Sequence, residues 1–555
     1  MYMSAIREDP SAATSRTIWQ SLERSAELYG DREAIVSQDS RVTYKGMLEH
    51  VDRLAAGLLS RGIQPGDHVA IVFPATPEWV YVHYALTTIG AVAVPINFNY
   101  KSEEARWVLK QGDVDSIITV DSMLSIDILD LFKSVDPALQ PGDVNSEQFP
   151  LIKRMFVLES NAESGSTHSL RPLLAHGISE DEKRRLAAIR AKQTPDDACY
   201  IIFTSGSTAR PKPALIPQRA VSGVGRYYAA AMDLGEEDRF LAALTTFHIG
   251  GPVCIAAPHS VGASTHLIGV FDPGVILETC ERERCTASGG FDTMFTKIMG
   301  HPDFGKRDIS SFKKCFIACS PSYHDELRRA FKLDILAATY GCTEAAGAIT
   351  FVMPDETDPE IRRSSNGRPH PGLEIRIVDP ETGQAVSTGT PGELCFRGWS
   401  KFLGYYKMPE ENAAAIDAEG FVHMGDYGFV DEKGYFYYRG RYKMMVKTGG
   451  ENVSEKEVEI FLEDAVPSVE FAQVVGVPDP VWGEAVVAFV QLRPGISITP
   501  EEIREQCRGK IAGFKIPKHV WILEAQDWPI LPVGRPDKHT LRKMAAERLG
   551  RAEVS

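Results

Sequence analysis

The chain has no uninterrupted apolar stretch of about 18 residues, the length a helix needs to cross a bilayer. Its start, MYMSAIREDPSAATSRT, holds no apolar core of the signal-peptide kind. Positive charge is in deficit: 60 Lys and Arg stand against 75 Asp and Glu, for a formal net charge of -15. The resulting long-range field repels polyanions, which argues against nonspecific binding to nucleic acid or to an anionic membrane. Metal and redox cysteine spacings are missing as well. Among nine cysteines the close pairs are Cys280 with Cys285 and Cys315 with Cys319, and neither has ligand or thioredoxin spacing. The expectation is a cytoplasmic protein with reduced thiols. The GxxxxGK[ST] spacing of the Walker phosphate loop is also lacking.

What is there is a chain of 555 residues, 43% of them hydrophobic, too long for one core because single cores stop growing near roughly 250 to 300 residues. Apolar runs alternate with helical patterns. Val69–Phe73, then Trp79–Ile89, then Ala91–Val94 read as a βαβ unit and predict a largely parallel sheet. Residues 1–440 are expected to form one large multilobed α/β domain. Short strands with Asp and Gly turns follow from Gly425, and Gly440-Arg441 interrupts them. Residues 441–555 are then expected to form a small α+β domain, with a helix over Glu455–Glu463 and strands over Ala472–Val477 and Ala485–Leu492.

The densest chemical signal is TSGSTARPK, Thr204 to Lys212, directly after the apolar run Tyr200–Phe203. Hydroxyls, small residues and one lysine in a turn after a buried strand suit a polyphosphate. Alone, such a turn is an ordinary solvated loop. It is followed by Phe247-His-Ile-Gly-Gly251, Tyr340-Gly-Cys-Thr-Glu344, Gly425-Asp426, Gly440-Arg441, Lys447-Thr-Gly-Gly-Glu-Asn-Val453 and Leu531-Pro-Val-Gly-Arg-Pro-Asp-Lys538. In that order and separation, from about Trp19 to Leu549, the motifs resemble the adenylate-forming superfamily, which includes the acyl-CoA synthetases, peptide-synthetase adenylation domains and beetle luciferases.

The resemblance implies an acid–thiol ligase. A carboxylate first attacks the α-phosphate of ATP, giving an acyl adenylate and pyrophosphate. The CoA thiol then attacks the activated carbonyl and expels AMP. It also implies roles for residues of this chain. Thr204, Ser205, Gly206, Ser207, Thr208 and Lys212 would cradle phosphates. Glu344 would hold Mg²⁺, with Thr343 on the α-phosphate and Tyr340 against the adenine. Asp426, an acceptor-only carboxylate, would take both ribose hydroxyls, and Arg441 suits ribose and phosphate. Lys538 would be the adenylation lysine, carried by a small domain that rotates about a hinge at Lys443. The face with Lys447, Gly449 and Gly450 would replace it for thioester formation, its glycines giving the pantetheine arm room. His248 resembles the gate beside the acyl carbonyl. Phe247, Phe291, Cys319, Ala345 and Ala346 are candidate walls of an acyl pocket, and the absence of an acidic residue from these segments favours an apolar or aromatic carboxylic acid.

Several residues depart from the family pattern, Gly534 among them, which stands where a hydroxyl residue is common. Ala209 and Pro213 stand where glycines are usual, adding a methyl and removing an N–H. Asp537 stands where glycine usually precedes the lysine, and its carboxylate is expected to oppose the developing charge that Lys538 has to stabilise. The departures fall on the adenylating machinery. This predicts an enzyme impaired in adenylation and competent in thioester formation, with a separate adenylating enzyme supplying its acyl adenylate. Two alternatives fit the same motifs: a ligase that loads a carrier protein's phosphopantetheine, and a non-catalytic nucleotide- or acyl-binding relative.

Overall fold

The apolar runs lie side by side as strands in the computed structural model, which describes residues 15–124, 126–159, 168–204, 210–243, 245–319, 321–380, 382–441, 445–529 and 536–551. Strand His68–Val72, helix Pro77–Ile89 and strand Val92–Pro95 form the expected βαβ unit, with Val69 opposite Ala93 in a parallel pair. Pro77 opens that helix and Gly90, at φ 73°, closes it, the usual asymmetry of helix ends.

Two large sheets carry the N-terminal part. One has eight strands and runs in space from Gly404–Tyr405 through Lys212–Pro217, Ala198–Thr204, Val92–Pro95 and His68–Val72 to Ser116–Val120 and beyond. The other has nine, and its centre, from Ile335–Tyr340 to Ser264–Leu267, is parallel throughout. Ser116–Val120 is buried at every position, as expected of a parallel strand covered on both faces. Helix Gln218–Ala231, buried along nearly its whole length, belongs to the core the two sheets share. A four-stranded antiparallel sheet, Leu373–Val378 to Phe436–Arg441, follows.

Residues 445–551 build a five-stranded sheet of their own with a core on each face. Alternation with period two decides which residue joins which core. Val474, Val486 and Ala488 pack with helices Glu455–Ala465 and Pro500–Cys507, and Val475, Val477 and Val487 pack with helix Lys538–Arg548. The molecule is an α/β protein: a large multilobed N-terminal part with parallel-rich sheets, and a small α+β C-terminal part. Among the described residues no helix is long and apolar enough to cross a membrane.

Candidate active site

A cleft of about 1870 Å³ opens between the two parts and is lined by both. Strand Ile335–Tyr340 delivers Tyr340 to it, and the phenol donates to Asp426 Oδ2 at 2.6 Å. Asp426 is 2% exposed and sits in strand Val422–Val430, opposite Arg441 in the ladder. Arg441 is described by its backbone alone. The Tyr340 ring packs on Phe436 at 4.9 Å and beside Tyr438 at 5.8 Å. Gly341 must be glycine, because a Cβ there would lie 1.7 Å from the Gly347 carbonyl oxygen. That close approach swings Thr343 and Glu344 into a single 3-10 turn at the cleft. Glu344 Oε1 accepts from the Tyr405 hydroxyl at 2.7 Å. Burial, and then the Glu344 charge, raise the Tyr405 phenol far above its ordinary range, so it stays a donor.

The phosphate-loop residues Ser205, Gly206, Ser207, Thr208 and Ala209 lie outside the described residues, as does Lys443. Their flanks are well defined. Strand Ala198–Thr204 returns antiparallel as Lys212–Pro217, with Phe203 opposite Pro213. The turn therefore joins two strands, and no helix N-terminus follows it to supply the dipole of a Walker loop. Pro213 corrects an expectation. It lies within a strand, and its carbonyl accepts from Tyr406 N at 2.8 Å, so its ring nitrogen also faces the Gly404–Tyr405 side and takes no bond from the hairpin ladder. The Trp107 indole donates to Pro211 O at 3.0 Å, and Arg210 stacks on the same indole at 4.6 Å. Lys212 lies 5.1 Å over the Tyr405 ring and forms an ion pair with Glu411.

From the small part, the hairpin Met445–Thr448 to Glu451–Ser454 points its turn into the cleft. Gly449 and Gly450 have φ of 61° and 85° and connect the paired residues Thr448 and Glu451. This is the two-residue turn that demands positive φ at both positions, a reason for both glycines that needs no ligand. Glu451 Oε2 comes within 3.3 Å of His248 Nε2. A Cβ on Gly450 would lie 3.7 Å from Thr293 Oγ1. Lys447 stacks over the Tyr438 ring at 4.9 Å, and its backbone N–H donates to Glu484 Oε2 at 2.5 Å.

Lys538 is held elsewhere. Its ammonium lies 2.7 Å from Glu455 Oε2 and 2.6 Å from Glu459 Oε1, both nearly buried, and donates to Val474 O at 3.1 Å. Asp537, the charged residue beside it, also has a structural task. It is the N-cap of helix Lys538–Arg548, accepting from the His539 and Thr540 N–H groups at 3.0 and 3.2 Å and from the Thr540 hydroxyl at 2.6 Å. These bonds hold its carboxyl below the usual range.

Phe247, His248, Phe291 and Cys319, the candidate acyl-pocket residues, line the cleft. Phe247 packs edge-on against Phe98 at 5.3 Å, and burial pushes the Cys319 thiol up to about 12. Ala345 and Ala346, expected as walls, are buried in the main core instead, because the turn at Ala346, φ 55°, carries both methyls inward. Asp292, next to Phe291, does line the cleft, with its Oδ1 accepting from the Thr293 N–H at 2.8 Å. Sequence reading passed over Tyr405, Glu411, Glu451 and Trp482. Trp482 sits under two ammonium groups, Lys518 at 4.2 Å and Lys297 of the large part at 5.2 Å. Only their partners, distant in sequence, reveal these four.

The AMP-binding enzyme model matches residues 22–406, and the AMP-binding enzyme C-terminal domain model matches residues 462–532. The chain belongs to the AMP-binding enzyme family. It is similar to YngI of Bacillus subtilis, provisionally named an acyl-CoA synthetase, at 36% identity over 543 residues, 96% of this chain and 97% of YngI. It is also similar to the mitochondrial medium-chain acyl-CoA ligase ACSF2 of Danio rerio, at 31% identity over 97% of this chain and 89% of ACSF2. Among solved structures, the amide bond synthetase McbA of Marinactinospora thermotolerans superposes with a TM-score of 0.80 at 25% identity, over 95% of this chain and 99% of McbA. This AMP-binding enzyme is an acid–thiol ligase of the acyl-CoA synthetase branch and works through an acyl adenylate.

Proposed function

We propose that the enzyme joins an apolar or aromatic carboxylic acid to CoA, and that thioester formation outpaces its own ATP-dependent adenylation. A separate adenylating enzyme then supplies part of its acyl adenylate. The domains are 1–440 and 441–555, hinged near Lys443. The observation that carries this reading is the placement of Lys538 between Glu455 and Glu459 while the Gly449–Gly450 turn faces the cleft. An ammonium held by two carboxylates is withdrawn from the α-phosphate it would stabilise. Lys212, by contrast, stays at the cleft wall, paired with Glu411.

Asp426 takes the ribose hydroxyls, Tyr340 lies against the adenine, and Thr343, Thr204 and Lys212 meet phosphate oxygens. Glu344 is a fitting Mg²⁺ ligand: a hard carboxylate oxygen at the cleft, oriented by the Tyr405 hydroxyl. When bound, that ion would neutralise phosphate charge. In the second step the thiol sulfur bonds to the acyl carbon as the thiol loses its proton, and the acyl–phosphate C–O bond breaks to release AMP. His248, in contact with Glu451, gates the acyl carbonyl against the Gly449–Gly450 turn. Phe247, Phe291 and Cys319 support an apolar or aromatic acyl group, a class that includes the medium-chain acids named for ACSF2. A cytoplasmic location completes the reading, supported by nine cysteines kept as thiols.

The test is Lys538→Ala, assayed with CoA in two arms, one with acid and ATP, the other with the synthetic acyl adenylate. The expected outcome is loss of the ATP arm by about a hundredfold, on the scale of one lost electrostatic stabiliser, with the adenylate arm kept within twofold. Equal loss in both arms contradicts the assignment.

A further inference from the structure

Among the described contacts between the large and small parts is one made by a buried cation. Lys515, 3% exposed, places its ammonium 2.7 Å from Glu457 Oε1 on helix Glu455–Ala465 and 2.6 Å from Glu104 Oε1 on helix Ser102–Gln111, 411 residues away in sequence. The Tyr100 ring, also of the large part, lies 5.5 Å from the same ammonium. Burial opposes the lysine's charge, but Glu457 and then Glu104 outweigh it and hold the ammonium above its ordinary range.

Glu104 is prepared for this contact. Its second oxygen, Oε2, accepts from the Lys101 N–H at 3.0 Å, the capping-box bond of its own helix. One oxygen is thus fixed to the helix start, and the other is aimed at the small part. Lys515 and Glu457 belong to the small part and travel together, whereas Glu104 and Tyr100 stay behind when it rotates. A buried ion pair with this split specifies an orientation more than it adds stability, because desolvating its charges offsets much of the attraction. In the orientation described here it is closed, and the Gly449–Gly450 turn faces the cleft.

We propose that Lys515 and Glu104 form an interdomain latch that holds the small domain in its thioester-forming orientation, making both positioning residues for the second half-reaction. The proposal rests on the reading that this orientation serves thioester formation. Glu104→Gln is the informative variant, since glutamine keeps the capping-box bond and with it the helix start, while the charge facing Lys515 is lost. In the full chain it is expected to slow acyl-CoA formation from supplied acyl adenylate by about tenfold, within the range of interdomain coupling, and to leave pyrophosphate exchange within twofold of the parent or above it. Lys515→Met is expected to repeat the pattern. Equal loss in both half-reactions, or no change in either, overturns the latch.

Amide hydrogen exchange separates this outcome from failure of the functional reading. Should the parent enzyme make no acyl-CoA from any adenylate, that reading falls. The latch still predicts faster exchange across residues 445–454 in Glu104→Gln than in the parent, and identical exchange overturns it.

Discussion

Lys538 illustrates how far a residue's role depends on what it can reach. Its position in the motif proposes it as the adenylation lysine, yet Glu455 and Glu459 hold it 2.7 and 2.6 Å away within the small part. Glu455→Gln is expected to loosen that hold and raise pyrophosphate exchange several-fold, because a neutral amide competes less well than a carboxylate for the ammonium. Unchanged exchange would show that the pair does not restrain adenylation. At this scale the sequence was legible in which motif residues come together. Asp426 and Tyr340 lie together at the cleft as their motifs suggested. It was silent where the task depends on a neighbour's conformation. Asp537 reads as a charge beside a lysine, but a helix that begins at Lys538 makes it an N-cap.

The hairpin from Met445 to Ser454 sets what reaches the cleft at the scale of elements. Both turn glycines are left-handed, and a Cβ on Gly449 would stand 3.0 Å from Trp482 Cε3. Gly449→Ala is expected to destabilise the turn by about 1–2 kcal/mol and to slow thioester formation while sparing pyrophosphate exchange, measured in the same two assays. Loss of exchange instead would place the turn in the adenylation machinery. The strand Ala198–Thr204 was legible from its apolar run, and the βαβ unit from its alternation. The antiparallel return through Pro213 was not, because a proline after a Gly- and Ser-rich turn reads as loop. It is a strand only because the carbonyl side, where the missing N–H would point, is bonded by a short strand some 190 residues on.

The whole molecule carries a pH dependence that local motifs do not show. Four histidines of the large part are buried and held neutral by desolvation: His83 and His370 down to about 3, His259 and His266 down to about 4. The unfolded chain binds protons at these sites from about pH 6.5 downward, whereas the native chain does not. Stability is therefore unaffected above about pH 6.5 and falls as pH drops toward 4, by about 2 kcal/mol per histidine at pH 5. Urea unfolding at several pH values should show this slope, and His370→Phe, which keeps the stack on Tyr227 at 4.2 Å, should reduce it by about one proton. A slope unchanged in that variant would mean that His370 is protonated in the native state. The fold class was legible from alternation along the chain, but the interdomain contacts were not, since Lys515 and Glu104 meet only after both parts have folded.

The proposed bias of the small domain toward the second half-reaction is open to direct measurement. The most direct test compares single-turnover rates of acyl-CoA formation in the unmodified enzyme, starting from acid, ATP and Mg²⁺ with CoA, and from the matching synthetic acyl adenylate with CoA. Acyl-CoA is expected from both arms, at least tenfold faster from the adenylate, a difference of about 1.4 kcal/mol in barrier. Equal rates, with pyrophosphate release as fast as thioester formation, would contradict it and make the enzyme a balanced two-step ligase.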